Sequence, residues 1–159
     1  MGFTAPGESW LGLRMIEARI REFIFPQDYQ NVIDLWENAG SGVRVGRSDS
    51  LQEIAKKLQR DPDLFLLAEL DGEIIGSVLG GFDGRRGLIY HLAVKSSLRK
   101  QGVGGRLMDE VEKRLVARGC LRCYLLVTPE NAYAMHYYEQ RGWERMPTIT
   151  YGKNLVPSE

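Results

Sequence analysis

The sequence predicts a single-domain α/β protein whose elements run β-α-α-β-β-β-α-β-α-β-β. Three observations carry that prediction. Ile16, Ala18 and Ile20 alternate with Glu17, Arg19 and Arg21, which is strand periodicity. Two later stretches repeat apolar residues at i, i+3, i+4 and i+7, the signature of an amphipathic helix. The apolar run Leu88–Val94 leads through a glycine-rich turn into a third amphipathic segment.

The elements follow in order. Residues 1–14 are Gly-rich and patternless and read as a flexible leader, so the domain is placed at 15–159, with Met15 an alternative start. After the Ile16–Phe23 strand, Pro26 and Asp28 open a helix with Tyr29, Val32, Ile33 and Trp36 on one face. The stretch Asn38–Gly42 ends it. Ser48 to Ser50 caps a second helix carrying Leu51, Ile54, Ala55 and Leu58. Both apolar stripes are read as core packing. Asp61-Pro62-Asp63 is a turn. Leu64–Leu70 and Glu73–Phe82 are strands joined by the two-residue hairpin turn Asp71-Gly72. A tight turn over Asp83–Gly87 enters the Leu88 strand. Leu107, Met108, Val111 and Leu115 mark the next helix, which Gly119 ends. Leu121–Val127 reads as a strand, and Asn131 caps a helix from Ala132 to Arg141 closed by Gly142. Two short strands are expected after Trp143, the last near Tyr151 to Leu155.

The turn after Val94 suits a phosphate. Glycines let the backbone approach an anion without a Cβ in the way, and a helix start adds N–H donors and partial positive charge. Arg99, Lys100 and Arg106 add full charges. Three patterns compete for this turn. A P-loop needs Lys-Ser/Thr after its glycines, which is missing. A dinucleotide fingerprint fits Gly102 and Gly104 but meets Leu107 at its third position, and Arg122 stands where an acidic residue belongs. The third pattern, R-x-x-G-x-G, is filled by Arg99, Gly102 and Gly104.

That third pattern resembles the acetyl-CoA signature of the GNAT family of N-acetyltransferases. A second block agrees: Asn131, then Tyr138-Glu139-Gln140-Arg141-Gly142-Trp143, is similar to the family's capping Asn followed by Tyr-Glu-x-x-Gly-Phe. The resemblance runs from about Ile16 to Leu155, and Leu64–Gly87 looks most like the YpeA-type bacterial members. It implies a mixed, mostly antiparallel sheet with helices on both faces. It further implies that backbone groups of Leu92, Ala93 and Val94 pair with the pantetheine arm like an added strand. The N–H groups of Gln101, Gly102, Val103, Gly104 and Gly105 would hold the pyrophosphate, with Arg99, Lys100 and Arg106 binding the cofactor around them and Asn131 and Tyr138 also at the cofactor. Tyr138 is the expected catalytic acid, protonating the departing CoA thiolate.

The general base is not evident. Leu88 and Leu126 stand where some members carry Glu, and Tyr90 where another pattern puts His. Glu130 or Tyr90 acting through water, or an amine arriving neutral, stay open. Strand alternation places His91 with Ile89 and Ala93, opposite Tyr90, Leu92 and Val94, where it reads first as a hydrogen-bonded packing residue, with a catalytic role left open. His136 is read as structural. Cys120 and Cys123 form C-x-x-C at a helix end rather than a helix start, and only two histidines accompany them, so redox and zinc roles are set aside and no metal is expected. The linker from Trp36 to Asp49 carries Arg44 and Arg47, whose forks suit a carboxylate-bearing acceptor or remain solvated.

Composition bounds the rest. Lys+Arg and Asp+Glu are both 21, so no global field favours nucleic acid or an anionic membrane. No apolar run approaches the roughly 20 residues of a membrane span, and no signal pattern is seen. The expectation is a cytoplasmic acetyl-CoA-dependent N-acetyltransferase acting on a primary amine of a small molecule or peptide by direct attack in a ternary complex. A homodimer is left open. The alternatives are a non-catalytic acyl-CoA-binding or sensing module on the same fold and, third, a dinucleotide-binding oxidoreductase.

Overall fold

The computed structural model describes residues 16–158. The expected leader, residues 1–14, lies outside the described residues. The chain divides into two compact units, the first ending at Leu126 and the second starting at Val127.

The first unit holds β1 (Arg19–Glu22), α1 (Tyr29–Glu37), α2 (Leu51–Arg60), β2 (Phe65–Leu70), β3 (Glu73–Phe82), β4 (Gly87–Val94), α3 (Val103–Ala117) and β5 (Cys123–Tyr124). Short 3-10 turns cover Arg47–Asp49 and Ser96–Leu98. The five strands lie in the order β1-β2-β3-β4-β5. The first four are antiparallel neighbours and β5 runs parallel to β4, so the sheet is mixed and mostly antiparallel, as expected. The β2–β3 hairpin turns on Asp71 and Gly72, both at positive φ (50° and 79°), a geometry that Asp tolerates and Gly adopts freely. Asp83 closes the next turn by accepting the N–H groups of Arg85 and Arg86 at 2.8 and 2.7 Å.

Helices cover both faces. On one, a Cβ added to Gly80 would stand 2.8 Å from Val111 Cγ2, and one added to Gly76 would stand 3.0 Å from Leu107 Cδ1. These two glycines therefore let α3 lie close against β3. On the other face, Val32, Ile33 and Trp36 of α1 and Ile54 of α2 pack with Phe65, Leu67, Leu79 and Ala93. Phe65 stacks between Phe23 (centroids 4.5 Å apart) and Trp36 (6.0 Å). The α1 stripe is thus core, whereas of the α2 stripe Ile54 is buried, Leu58 packs part-buried against the cluster and Leu51 is 38% exposed. Trp36 keeps its indole N–H satisfied there by donating to Ser77 Oγ at 2.8 Å.

The second unit contains α4 (Ala132–Gln140). Asn131 Oδ1 caps it by accepting the Ala134 N–H at 3.0 Å. Gly142 closes it at φ 86°, donating to the Glu139 carbonyl at 3.1 Å.

Three expected strands differ. The strand predicted over Leu121–Val127 shrinks to Cys123–Tyr124, because only Gly87 and Leu88 of β4 pair with it. Apolar content alone was a poor guide here: Leu121 is 97% exposed. The two strands predicted after Trp143 are not formed among the described residues. Ile149 and Tyr151 in that segment are 82% and 91% exposed, so their side chains are not drawn into a core that would hold a strand.

Candidate active site

Strand β4 positions the site. On its inner side it pairs with β3 from Gly87 to Val94. On its outer side β5 takes only Gly87 and Leu88. From Ile89 to Val94 that outer edge therefore carries no strand within the first unit, leaving a row of main-chain donors and acceptors for an extended ligand. Leu92, Ala93 and Val94 lie on this stretch. The Val94 carbonyl already accepts Arg99 Nε at 3.3 Å.

The strand runs on through the 3-10 turn over Ser96–Leu98 to the start of α3. Lys100 and Gly102 take left-handed conformations (φ 61° and 84°), which fold the chain sharply into the helix. Gly102 is the N-cap and has no side chain to offer, so α3 begins uncapped. The opening intrahelical bond is Arg106 N–H to the Gly102 carbonyl, 3.1 Å. Val103 and Gly104 thus sit where a helix presents its first N–H donors to an anion. The cradle of Gln101–Gly105 fits a pyrophosphate on these grounds.

The two arginines behave differently from expectation. Arg99 Nη2 donates to the Ala39 carbonyl at the end of α1, and Arg106 Nη1 donates to the Ala18 carbonyl at 2.5 Å. Both guanidinium groups tie the loop to neighbouring backbone rather than standing clear around it. Their contribution is to hold the cradle in shape.

A bulge interrupts β4. Ser77 pairs with Ala93 and Leu79 with Tyr90, so His91 and Leu92 together oppose Val78 alone. His91 absorbs the extra residue at φ 51°. This corrects the alternation expected from sequence. Ile89 opposes Gly80 on the α3 face, while Tyr90, His91 and Ala93 all turn towards α1 and α2. The His91 ring meets Trp36 edge-on at 4.4 Å and Tyr90 at 5.5 Å.

The bulge also brings together a pair that spacing could not reveal. His91 Nε2 lies 3.0 Å from Asp49 Oδ1, across 42 residues of sequence. A carboxylate can only accept, so Nε2 carries the proton. Asp49 is buried and held from several sides. Its Oδ2 accepts the Gly46 N–H at 2.8 Å, and its carbonyl accepts the Tyr29 hydroxyl at 2.9 Å. Ser77 Oγ in turn donates to the His91 carbonyl at 3.0 Å. In the sequence Asp49 reads as part of a polar cap, Ser48 to Ser50, and nothing in its neighbourhood sets it apart. The cap itself is Ser50, whose Oγ accepts the Glu53 N–H at 3.3 Å.

The C-x-x-C thiols are packing groups. Cys120 is buried and Cys123 half-buried, and both are free. Burial pushes the Cys123 thiol up to about 11, away from thiolate chemistry.

In the second unit, Tyr138 stands edge-on to Tyr137 (5.2 Å) and Trp143 (6.0 Å). Burial, aided by Tyr137 and opposed by Arg141, pushes its hydroxyl up to about 12. The hydroxyl is therefore protonated throughout the neutral range. Asn131 serves as the N-cap of the same helix. Leu92, Ala93, Val94 and Arg99–Arg106 belong to the first unit, Asn131 and Tyr138 to the second.

Residues 21–143 match the acetyltransferase (GNAT) family model. The chain belongs to the GNAT family. An acetyltransferase of Pectobacterium atrosepticum is 42% identical over 134 residues, which span 84% of this chain and 94% of that one. Among solved structures, the PaiA N-acetyltransferase of Thermoplasma acidophilum, in complex with coenzyme A, superposes with a TM-score of 0.74 at 20% identity, covering 84% of this GNAT chain and 94% of that one. AAC(6')-Iy, in complex with the bisubstrate analogue CoA-S-monomethyl-acetylneamine, gives 0.70 at 18% identity, covering 89% and 100%. At these identities the likeness of the two structures is one of fold. This GNAT chain is an acetyltransferase, and no helix among its described residues is long and apolar enough to cross a membrane.

Proposed function

We propose that this acetyltransferase carries the acetyl group of acetyl-CoA to a primary amine of a small molecule or peptide, by direct attack in a ternary complex. The observation that carries the reading is the open β4 edge running into the glycine-capped, uncapped-by-side-chain start of α3. An extended arm that ends in a pyrophosphate fits that path. The arm adds along Leu92–Val94 like a strand. The pyrophosphate lies at Gln101–Gly105, on N–H donors and the positive end of the helix. That the structural neighbours were solved with coenzyme A and with a CoA bisubstrate analogue supports a CoA-type ligand on this fold.

Asn131 and Tyr138 complete the cofactor site on the strength of the family motif. Tyr138 donates towards the departing sulfur. At about 12 its hydroxyl lies roughly 3.5 units above an ordinary thiol, so full transfer to a free thiolate runs uphill by about 5 kcal/mol. The hydroxyl therefore acts chiefly as a hydrogen-bond donor that stabilises negative charge building on sulfur as the C–S bond breaks. Arg44, on the linker between the first two helices, suits an acceptor amine that also carries a carboxylate. Free thiols suit a reducing cytoplasm as the place of action.

The test is thiol release from acetyl-CoA over a broad panel of amines, alongside thermal stabilisation by CoA and by NAD(H). CoA stabilisation together with turnover on at least one amine is the expected result. Stabilisation by CoA without turnover on any amine would make the chain an acyl-CoA-binding module instead.

A further inference from the structure

We propose that His91 is the general base of the transfer, accepting the acceptor amine's proton at Nδ1, with Asp49 as the positioning residue that makes Nδ1 available. This rests on the transferase reading above and names a group for its missing step.

Direction along β4 places the histidine. The cradle that holds the pyrophosphate lies beyond the C-terminal end of the strand, after Val94. An arm pairing with Val94 and then Leu92 therefore carries its thioester end towards the residue preceding Leu92, which is His91. The bulge falls at that point. Without it, strand alternation would send the His91 side chain to the opposite face from Tyr90, into the α3 layer. With it, the imidazole reaches the α1–α2 face, at the end of the linker from Trp36 to Asp49. A left-handed backbone at a residue other than Gly is uncommon, and such conformations gather at functional positions.

Chemistry assigns the nitrogens. Asp49 accepts from Nε2, which fixes the tautomer with the lone pair on Nδ1. Asp49 cannot swing away, because Gly46 N–H holds its other oxygen and Tyr29 holds its carbonyl. The His91 side chain is 18% exposed, while the Asp49 side chain is 8% exposed. The imidazole thus keeps partial access to solvent while its carboxylate partner is closed off, as an oriented base requires. The groups facing the ring are Asp49 from the 3-10 turn, Tyr90 from its own strand and Trp36 from α1, while Ser77 of β3 holds the His91 carbonyl. Lys57 of α2 lies over the Tyr90 ring at 5.7 Å, and Asp61 pairs with that lysine.

The step balances. A primary ammonium gives one proton to Nδ1 and becomes a neutral amine. The nitrogen attacks the thioester carbon, a C–N bond forms and the C–S bond breaks. The second nitrogen proton ends on the CoA sulfur, and the imidazolium returns its proton to water.

The experiment uses the full chain and an amine selected from the wild-type screen. His91→Asn keeps a residue that tolerates left-handed backbone while removing the base. Its kcat/KM at neutral pH should fall at least 100-fold, with CoA affinity by calorimetry within about twofold of wild type. The deficit should shrink as pH rises and the amine arrives deprotonated. Asp49→Asn should lose about tenfold. His91→Gly, which accepts the backbone angle, should regain at least tenfold with added imidazole. Wild-type kcat/KM in His91→Asn would overturn the assignment while leaving the transferase intact. A deficit that stays constant from pH 7 to 10, or one matched by lost CoA affinity, would reduce the pair to a structural lock. A wild type that binds CoA and acetylates no amine would overturn the transfer reading, and this assignment with it.

Discussion

Single side chains here are set by what surrounds them more than by what they are. Tyr90 and Tyr138 share a residue type with five other tyrosines, yet burial raises both to about 12, and Asp61 and Asp49 add to the shift at Tyr90. Each hydroxyl therefore binds its proton more tightly in the folded chain than in the unfolded one. Its contribution to stability is fully present below about pH 10 and is lost as pH climbs through about 12. Ultraviolet titration should show the Tyr90 and Tyr138 phenols, identified by their Phe variants, ionising late, with folding stability declining over that same window. Ionisation of these two near pH 10 in the folded protein would contradict the burial. Tyr138→Phe tests its role at sulfur: kcat should drop at least tenfold with CoA affinity nearly unchanged. A tyrosine that only packs would instead show a stability change of about 1 kcal/mol and normal turnover. Melting temperature and kcat measured on the same preparation separate the two.

At the level of elements, close approach decides where strands and helices stop. Gly87 shows how. A Cβ there would stand 2.7 Å from Cys120 Sγ and 2.9 Å from Cys123 Cβ, at the place where β5 joins β4. Gly87→Ala should push β5 away and cost about 1–3 kcal/mol, the usual range for overpacking. Chemical denaturation reads it directly, and an unchanged midpoint would show that β5 yields without cost. The α3 start makes the complementary case. Gly104→Val places bulk beside the first N–H donors of the helix, so CoA affinity should weaken tenfold or more, about 1.4 kcal/mol. Calorimetry on a folded variant with wild-type affinity would take the cradle out of the site.

For the whole molecule, balanced charge leaves no global field, so recognition falls to local geometry: a strand edge, a helix start and a bulge. The described structure begins at Ile16, whose N–H donates to the Gln101 carbonyl at 3.2 Å, just ahead of the cradle. Residues 1–14 carry no periodicity, cap or apolar face. We expect a chain beginning at Met15 to melt within a few degrees of the full chain and to bind CoA equally well. A large loss in calorimetric melting temperature would assign the leader a packing role.

Local pattern by itself determined most of the skeleton. The 3.6-residue stripes of α1, α2 and α3, the Asp71-Gly72 turn, the Asn131 cap and the glycine loop are all readable because each depends on residues within a few positions of one another. Tertiary structure alone decided the rest. Leu121–Val127 and the segment after Trp143 have strand-like composition, but a strand needs a neighbour's backbone, and composition does not report whether one is there. The β4 bulge reverses the face of His91 because it depends on how many residues oppose Val78 across the sheet, a count made between strands. The pairing of His91 with Asp49 spans 42 residues and exists only once that bulge and the linker's 3-10 turn are both in place.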